Sequence, residues 1–384
     1  MKILLILLCF LMFTGCASAL PAQTSGTFPT EETAAPEPVD TEPVSIETQP
    51  ADPIRELLNQ MSLEERVGQL FLARCDAGTA LNDITQYHLG GFVLFGQDFD
   101  GQTPDSIRET LAAYQNTAKL PLLIAVDEEG GTVTRISRYP AFRDSPFPSV
   151  RDAFAWGGLA QVLSYEEEKC MLLSSLQINV NLGPVCDIAT NPETFLYQRS
   201  LGQNAQVTSG FVSETVQIMD RYGIGSVLKH FPGYGNNSDT HTGTAVDSRS
   251  MEALAENDLI PFAAGIEAGC GAVMVSHTIV QALDAELPAS LSPAVHQYLR
   301  EDMGFDGVIV TDDLVMEAIS GQYGAGEAAV LAVLAGNDLL CSTDYPTQYD
   351  AVLNAVLEGR IDIDVLNDRA THVLKWKMAL GLLG

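Results

Sequence analysis

A polar loop that carries an Asp and a His two residues apart is the segment of this sequence best suited to chemistry. Residues 229–241 read KHFPGYGNNSDTH, and they run from an apolar stretch into a turn rich in Gly, Asn and Ser. Such residues favour a turning backbone. Asp239 could accept an imidazole N–H of His241, fix its tautomer and raise its pKa, which would suit the ring to acid/base work. On composition alone, a polar loop with an incidental His is an equally good explanation.

A second segment places two carboxylates directly after an apolar run. Residues 307–313 read GVIVTDD. A carboxylate at the end of a strand can act as a nucleophile, a metal ligand or a base. Adjacent residues of a strand point in opposite directions, so only one of the two acids should face a site. We expect Asp312 in the site and Asp313 in a structural role, as the N-cap of the helix that follows.

Eight short apolar runs alternate with longer amphipathic stretches in the part of the chain that contains these segments. The runs cover residues 70–73, 91–95, 122–126, 178–182, 225–229, 272–276, 307–311 and 337–341. Helical spacing occurs at 54–61, 103–117, 165–176, 203–222, 252–268 and 293–302, and Ser62 with Glu65 predicts a capped second helix. Strands that alternate with helices pair in parallel. The pattern predicts an α/β fold with one (β/α)8 TIM-type barrel, and a doubly wound open sheet is the alternative.

Charged and polar residues follow these runs in a regular way. The residues at the ends of the third to seventh runs are Asp127, Asp187, the pair Lys229 and His230, the pair Ser276 and His277, and the pair Asp312 and Asp313. In a barrel, all of these positions lie at the carboxyl ends of the strands, where active sites are built.

The first 52 residues differ from the rest of the chain. Residues 1–16 begin with Met-Lys, continue with an apolar stretch that is short for a membrane span, and end FTGC. This ending resembles a lipoprotein signal-peptidase site and predicts a lipidated Cys16; an ordinary secretory peptide cut near residues 17–19 is the alternative. Residues 17–52 are rich in Pro, Thr and Glu and contain no Lys or Arg, which predicts a disordered tether. The folded domain should then occupy residues 53–384.

The tether and the acylated cysteine together predict an exported protein. It would be held on the extracytoplasmic side of the cell membrane, and only its lipid anchor would contact the bilayer. The formal net charge of −30 over 384 residues would repel DNA and RNA, so we expect no nucleic-acid partner.

The cysteines show no spacing typical of a metal site or of a disulfide framework. Beyond the signal segment, five remain: Cys75, Cys170, Cys186, Cys270 and Cys341. An odd number of scattered cysteines indicates single buried thiols. We expect neither a metal ion nor a cofactor.

Taken together, the segments resemble glycoside hydrolase family 3, in its bacterial β-N-acetylhexosaminidase branch. The resemblance lies in KHFPGYG followed by Asp-x-His, and it extends in the same order through 126–135 (VDEEGGTVTR), 178–187 (INVNLGPVCD), 199–202 (RSLG) and 310–316 (VTDDLVM). It covers the chain from about residue 54 to the end. The chain departs from the family pattern at Tyr234, where a second His is usual, at Thr132, where Arg is common, and at Ala245, where Pro is common. These departures bear on loop geometry and on the choice of aglycone.

The resemblance implies a role for each matching residue. Asp312 is similar to the family's nucleophile, and His241 is similar to the acid/base of this branch, oriented by Asp239. The residues similar to the sugar-holding set are Asp127, Arg135, Arg199, Lys229 and His230. A salt bridge across the barrel mouth would explain Arg135 and Lys229 without any sugar.

The reaction that the resemblance implies is a retaining hydrolysis of terminal β-linked N-acetylglucosamine, with a carbohydrate as the partner. Peptidoglycan fragments are the expected substrate, and chitin oligomers are the other possibility. Neutral His241 would not repel an incoming anion, so phosphate could replace water, and a glycoside phosphorylase is the nearest alternative. A metal-dependent hydrolase and a lipid-anchored sugar-binding protein without turnover are the remaining alternatives.

Overall fold

The structure is a computed structural model, and it describes residues 52–235, 237, 239–240 and 243–383. The predicted signal segment with Cys16, and the predicted tether up to residue 51, lie outside the described residues, and so does His241. Asp52, the last residue assigned to the tether, belongs to the folded part, because its side chain accepts a hydrogen bond of 3.1 Å from the backbone N–H of Ile54 and caps the first helix.

Short strands and longer helices alternate along the described chain. The strands are β1 (Phe71–Arg74), β2 (Gly91–Leu94), β3 (Leu123–Val126), β4 (Val180–Asn181), β5 (Gly225–Phe231), β6 (Val246–Asp247), β7 (Ala272–Val275), β8 (Ile279–Val280), β9 (Val308–Thr311) and β10 (Leu340–Ser342). The helices are α1 (Pro53–Gln60), α2 (Leu63–Gln69), α3 (Ala80–Tyr87), α4 (Pro104–Thr117), α5 (Val150–Ser175), α6 (Ala205–Arg221), α7 (Met251–Ala253), α8 (Leu259–Glu267), α9 (Pro293–Gln297), α10 (Glu317–Tyr323), α11 (Ala325–Ala335), α12 (Tyr345–Leu357) and α13 (Ile363–Ala379). Short π-helical turns, Leu254–Asp258 and Tyr298–Asp302, extend α7 into α8 and lengthen α9.

Eight of the strands form one parallel sheet in the order β10-β1-β2-β3-β4-β5-β7-β9. Its two outer strands meet through a parallel bridge between Val310 and Leu339 and a 3.1 Å hydrogen bond from the N–H of Thr311 to the carbonyl of Leu339, so the sheet nearly closes into a barrel. β6 and β8 form a separate parallel pair. The eight predicted apolar runs are these eight strands, and the predicted barrel is confirmed.

The predicted helices are also present, with one difference in extent. Ser62 and Glu65 form the expected capping box at the start of α2. α5 begins at Val150 rather than at residue 165, because two helical pieces are joined across a kink at Gly157 and Gly158, where the backbone is not helical. Gly157 and Gly158 interrupt the apolar periodicity of the first piece, so the sequence pattern did not predict this piece as a helix.

Apolar side chains from all eight strands fill the interior of the barrel. They include Leu72, Val93, Ala125, Val180, Val227, Met274 and Val310, and Trp376 of α13 packs with them. A Cβ atom added at Gly271 would lie 2.0 Å from Nε1 of Trp376, and Gly225 is similarly close to the indole. The C-terminal helix therefore covers the amino-terminal end of the barrel, and the carboxyl end stays free for polar groups.

The described cysteines agree with the expectation of single thiols. Cys75, Cys170, Cys186, Cys270 and Cys341 are free thiols, and all but Cys341 are buried. Within the described ranges, no helix is both long enough and apolar enough to cross a membrane.

Candidate active site

Three consecutive acids follow β3, and they have different surroundings. Glu128 is fully buried and accepts hydrogen bonds of 2.8 Å from the backbone N–H groups of Arg135 and Ile136, and one from the hydroxyl of Ser137. Glu128 therefore holds the loop that presents Arg135. Asp127 and Glu129, on either side of it, turn instead toward Lys229 of β5.

Lys229 lies at the centre of a buried charge cluster. Its Nζ is 2.6 Å from Asp127 Oδ1 and 2.6 Å from Glu129 Oε1. Both oxygens of Glu129 also accept hydrogen bonds from Arg199, at 2.9 Å from Nε and 2.7 Å from Nη2. A bidentate pair of this kind fixes the plane of the guanidinium. Four of the charged groups at the mouth thus hold one another in place.

The cluster keeps Glu129 and Lys229 ionised. Burial alone would raise the pKa of Glu129, but the positive charges of Arg199 and Lys229 hold this pKa well below its ordinary value. Burial alone would lower the pKa of Lys229, but the carboxylates of Asp127 and Glu129 raise it above its ordinary value. At neutral pH the cluster therefore presents charged donors and acceptors, which suit the hydroxyl groups of a sugar.

Arg135 approaches the same cluster from the β3 loop. Its Nη2 lies 4.0 Å from Asp127 Oδ2, and its guanidinium stands over the ring of Phe95, 5.6 Å from the ring centroid. The second oxygen of Asp127 thus has only a long contact to Arg135, and both side chains keep some solvent exposure.

His230 is oriented by Asp187, which lies in the segment that follows β4. Its Nδ1 is 2.8 Å and its backbone nitrogen 2.9 Å from Asp187 Oδ2. Its Nε2 lies 3.3 Å from Nη2 of Arg199. Because a guanidinium only donates, Nε2 accepts this bond and the ring proton sits on Nδ1, facing Asp187. The structure thus adds Asp187 to the site as the residue that fixes the tautomer of His230.

The two acids after β9 have different surroundings, and the structural role of Asp313 is not the predicted one. Asp312 is half-buried, and its backbone N–H donates to Val275 of β7 at 3.2 Å. Asp313 accepts hydrogen bonds from the backbone N–H and the hydroxyl of Thr343, at 3.2 and 2.5 Å. The predicted N-cap at Asp313 is wrong, because the chain first makes a turn and α10 begins only at Glu317. Asp313 instead ties the end of β9 to the segment after β10.

Carboxylates that follow β3 and β9 act on one thiol of β10. Burial raises the pKa of Cys341 well above its ordinary value, and the negative charges of Asp313, Asp312 and Asp127 raise it further. Asp127 follows β3 and Asp312 follows β9 in one parallel sheet, so both lie at the carboxyl end of the barrel.

The loop after β5 begins at the same carboxyl end of the barrel. Asp239 is half-buried. Burial raises the pKa of Tyr234 far above its ordinary value, and the charges of Asp312, Asp187 and Asp239 add to this effect. Asp239 and Asp312 are thus both electrostatic neighbours of one buried hydroxyl, while the position of His241 falls outside the described residues.

The base of this loop is held by an arginine that sequence patterns did not indicate. Arg249 is paired with Asp247 at 2.6 Å and with Asp258 at 2.6 Å, and its Nη2 donates to the carbonyl of Gly233 at 3.4 Å. A cleft of about 520 Å³ opens beside it, and among the residues that the structure describes, none of the predicted site residues lines this cleft. The arginine supports the loop from outside the charge cluster.

Glu129 is a further site residue that the sequence analysis missed. Its signal was present, because Asp127 and Glu129 are two residues apart and share one side of an extended backbone. Among the described residues, no group of three His, Cys, Asp or Glu side chains is arranged to hold a metal ion.

Comparisons with known proteins support the same fold. Residues 62–376 match the model of the glycosyl hydrolase family 3 N terminal domain. Beta-hexosaminidase LpqI of Mycobacterium tuberculosis is 30% identical over 329 residues, which are 83% of this chain and 83% of that protein. A beta-hexosaminidase of Stenotrophomonas maltophilia is 35% identical over 306 residues, which are 76% of this chain and 86% of that protein.

Solved structures show the same relationship. A glycoside hydrolase family 3 beta-N-acetylglucosaminidase from Paenibacillus sp. str. FPU-7 superimposes with a TM-score of 0.78 at 33% identity; the match covers 84% of this chain and 64% of that one. M tuberculosis LpqI superimposes with a TM-score of 0.76 at 29% identity, over 84% of this chain and 96% of that one. The chain therefore belongs to glycoside hydrolase family 3, and it is a glycoside hydrolase.

Proposed function

We propose that this chain is a retaining exo-β-N-acetylglucosaminidase that removes terminal β-linked N-acetylglucosamine. The observation that carries the proposal is the buried cluster of Asp127, Lys229, Glu129 and Arg199, which lies at the same end of the barrel as Asp312. The choice of sugar is supported by the relatives, which are named beta-hexosaminidases and a beta-N-acetylglucosaminidase.

The cluster would hold the sugar by its hydroxyl groups. Asp127 accepts hydrogen bonds, whereas Lys229 and Arg199 donate them, so a hydroxyl that does both can bridge two of these groups. Arg135 and His230 add further polar groups at the rim. Because the ion pairs fix these side chains before the sugar arrives, little conformational entropy is lost on binding.

The chemistry would be a double displacement. A carboxylate oxygen of Asp312 attacks the anomeric carbon and forms a glycosyl ester, while the imidazolium of His241 gives its proton to the departing glycosidic oxygen. Neutral His241 then takes a proton from water, and the water oxygen attacks the same carbon and releases Asp312 as a carboxylate. Two inversions at one carbon leave the product in the β configuration. Asp239 would orient the imidazole of His241.

The cellular setting of the proposal rests on the sequence. The signal segment, Cys16 and the acidic tether support an exported lipoprotein on the extracytoplasmic side of the membrane. A glycosidase in that position would meet peptidoglycan fragments, which contain β-linked N-acetylglucosamine. Labelling of cells with a radioactive fatty acid tests the anchor: label should enter the wild-type chain but not Cys16→Ser.

Hydrolysis of two aryl glycosides tests the sugar and the reaction. The full chain should release the aryl group from an aryl β-N-acetylglucosaminide at a rate at least about 100-fold above that from the matching β-glucoside. The sugar product should be free N-acetylglucosamine, whether or not inorganic phosphate is present.

Three outcomes would contradict the proposal. Preference for the glucoside would mean that the site does not select the acetamido group. A sugar 1-phosphate as the product would mean that the chain is a phosphorylase. Sugar binding without turnover would mean that it is a binding protein.

A further inference from the structure

A buried pair of hydroxyl groups joins the two ends of the loop that carries Asp239. The side chain of Tyr234 is 1% exposed, and its hydroxyl is hydrogen-bonded to Oγ1 of Thr240. Thr240 is itself fully buried, and it stands between Asp239 and His241 in the sequence. The contact is thus one residue away from each member of the proposed acid/base pair.

Tyr234 is fixed to the barrel on its other side. Its backbone N–H donates to Asp187 Oδ1 at 2.8 Å, and the second oxygen of this carboxylate holds His230. The ring of Tyr234 meets the ring of His230 edge-on, with centroids 5.4 Å apart, and it packs against Ala189 and Leu196. Asp187 follows β4 and His230 lies in β5. Because Tyr234 contacts both of them, its hydroxyl has a defined position relative to the sugar-binding cluster.

Thr240 connects the loop to the segment that follows the nucleophile. The backbone N–H of Ala318, in α10, donates to the carbonyl of Thr240 at 3.4 Å. A second contact joins the same two elements, since Gln322 donates to Oγ1 of Thr244 at 2.9 Å. α10 begins five residues after Asp312, so the loop is docked on the element next to the proposed nucleophile.

We infer that Tyr234 is a positioning residue for the acid/base pair: its hydrogen bond to Thr240 holds the residue that stands between Asp239 and His241 in the sequence. The inference rests on the proposed function and deepens it. A phenol suits this task because it carries its hydroxyl on a rigid ring with only two torsions, so a buried Tyr defines the place of its partner closely. The hydroxyl itself does not touch the reacting atoms in this scheme.

The leaving group of the substrate distinguishes this role from a general effect on folding. Proton donation speeds the loss of a poor leaving group greatly and the loss of a good one little. In Tyr234→Phe, which keeps the ring and removes the hydroxyl, kcat/KM for an alkyl β-N-acetylglucosaminide should fall by about 10- to 100-fold. For the 2,4-dinitrophenyl glycoside kcat/KM should fall by less than about threefold. The comparison uses kcat/KM because this ratio reports the first step, whereas the second step uses His241 as a base whatever the leaving group.

A second variant removes the same hydrogen bond from the other side. Thr240→Val should show the same selective loss, and the double variant should lose no more than either single one, since one shared bond is removed only once. Thr240→Val also keeps the test decisive if Tyr234→Phe does not fold.

A matched control removes another buried hydroxyl from the same residue type. Tyr349 is buried in α12, and its hydroxyl donates to the backbone carbonyl of Glu64 at 3.2 Å. Tyr349→Phe should lower the melting temperature without changing the ratio of the kcat/KM values for the two substrates.

The inference is overturned if Tyr234→Phe loses activity equally on both substrates, loses none, or shows additive loss with Thr240→Val. If the wild-type chain turns over neither substrate, the proposed function fails and this inference fails with it. The two failures are therefore distinguishable within one experiment.

Discussion

At the scale of single residues, Glu129 decides the charge balance of the site, because it is the one carboxylate that pairs with both Arg199 and Lys229 among the described contacts. Removal of one partner from a buried ion pair leaves uncompensated charge and costs about 3–5 kcal/mol. Glu129→Gln keeps the shape of the side chain and removes its charge. We expect a large fall in the melting temperature, and a fall in kcat/KM as Arg199 and Lys229 lose their fixed positions.

The same substitution predicts a pH dependence. The folded pKa of Glu129 is depressed, so its contribution to stability is fully present above the unfolded pKa of about 4.5 and is lost as the pH falls toward the folded pKa. The difference in melting temperature between wild type and Glu129→Gln should be constant from about pH 8 to 5 and narrow below about pH 4.5. A difference that widens on acidification would contradict the assignment. Glu327→Gln is the matched control: it breaks an exposed pair with Arg360 and should leave the melting temperature nearly unchanged.

At the scale of elements, the fit of α13 against the barrel depends on residues without side chains. In Gly271→Ala the new methyl group would overlap the indole of Trp376, and overpacking of this kind typically costs about 1–3 kcal/mol. Calorimetry should show a lower melting temperature. Gly210→Ala, in α6, is the control: its nearest neighbour would be Leu159 at 3.9 Å, and Ala is the better helix former, so the melting temperature should stay or rise. Equal losses in both variants would contradict the packing described for α13.

At the scale of the whole molecule, the barrel and the residues at its mouth could largely be predicted from the sequence. Buried parallel strands are short apolar runs, and their spacing between amphipathic stretches counts the units of the barrel. The same pattern locates Asp127, Lys229 and Asp312 at strand ends. The pairing of Arg249 with Asp247 and Asp258 could not be predicted, because Asp247 lies in β6 and Asp258 in the turn between α7 and α8, and the three side chains meet only in the folded chain. The hydrogen bond between Tyr234 and Thr240 is likewise set by how the loop closes.

We propose that Asp312 forms the covalent link to the sugar, and mass spectrometry of a trapped intermediate identifies the residue that carries it. The full chain would be incubated with a 5-fluoro N-acetylglucosaminyl fluoride, a substrate analogue whose glycosyl-enzyme breaks down slowly. We expect one added fluoro-sugar on the peptide that contains Asp312, and no adduct in Asp312→Asn. An adduct on another residue, or an unchanged adduct in Asp312→Asn, would contradict the proposed nucleophile.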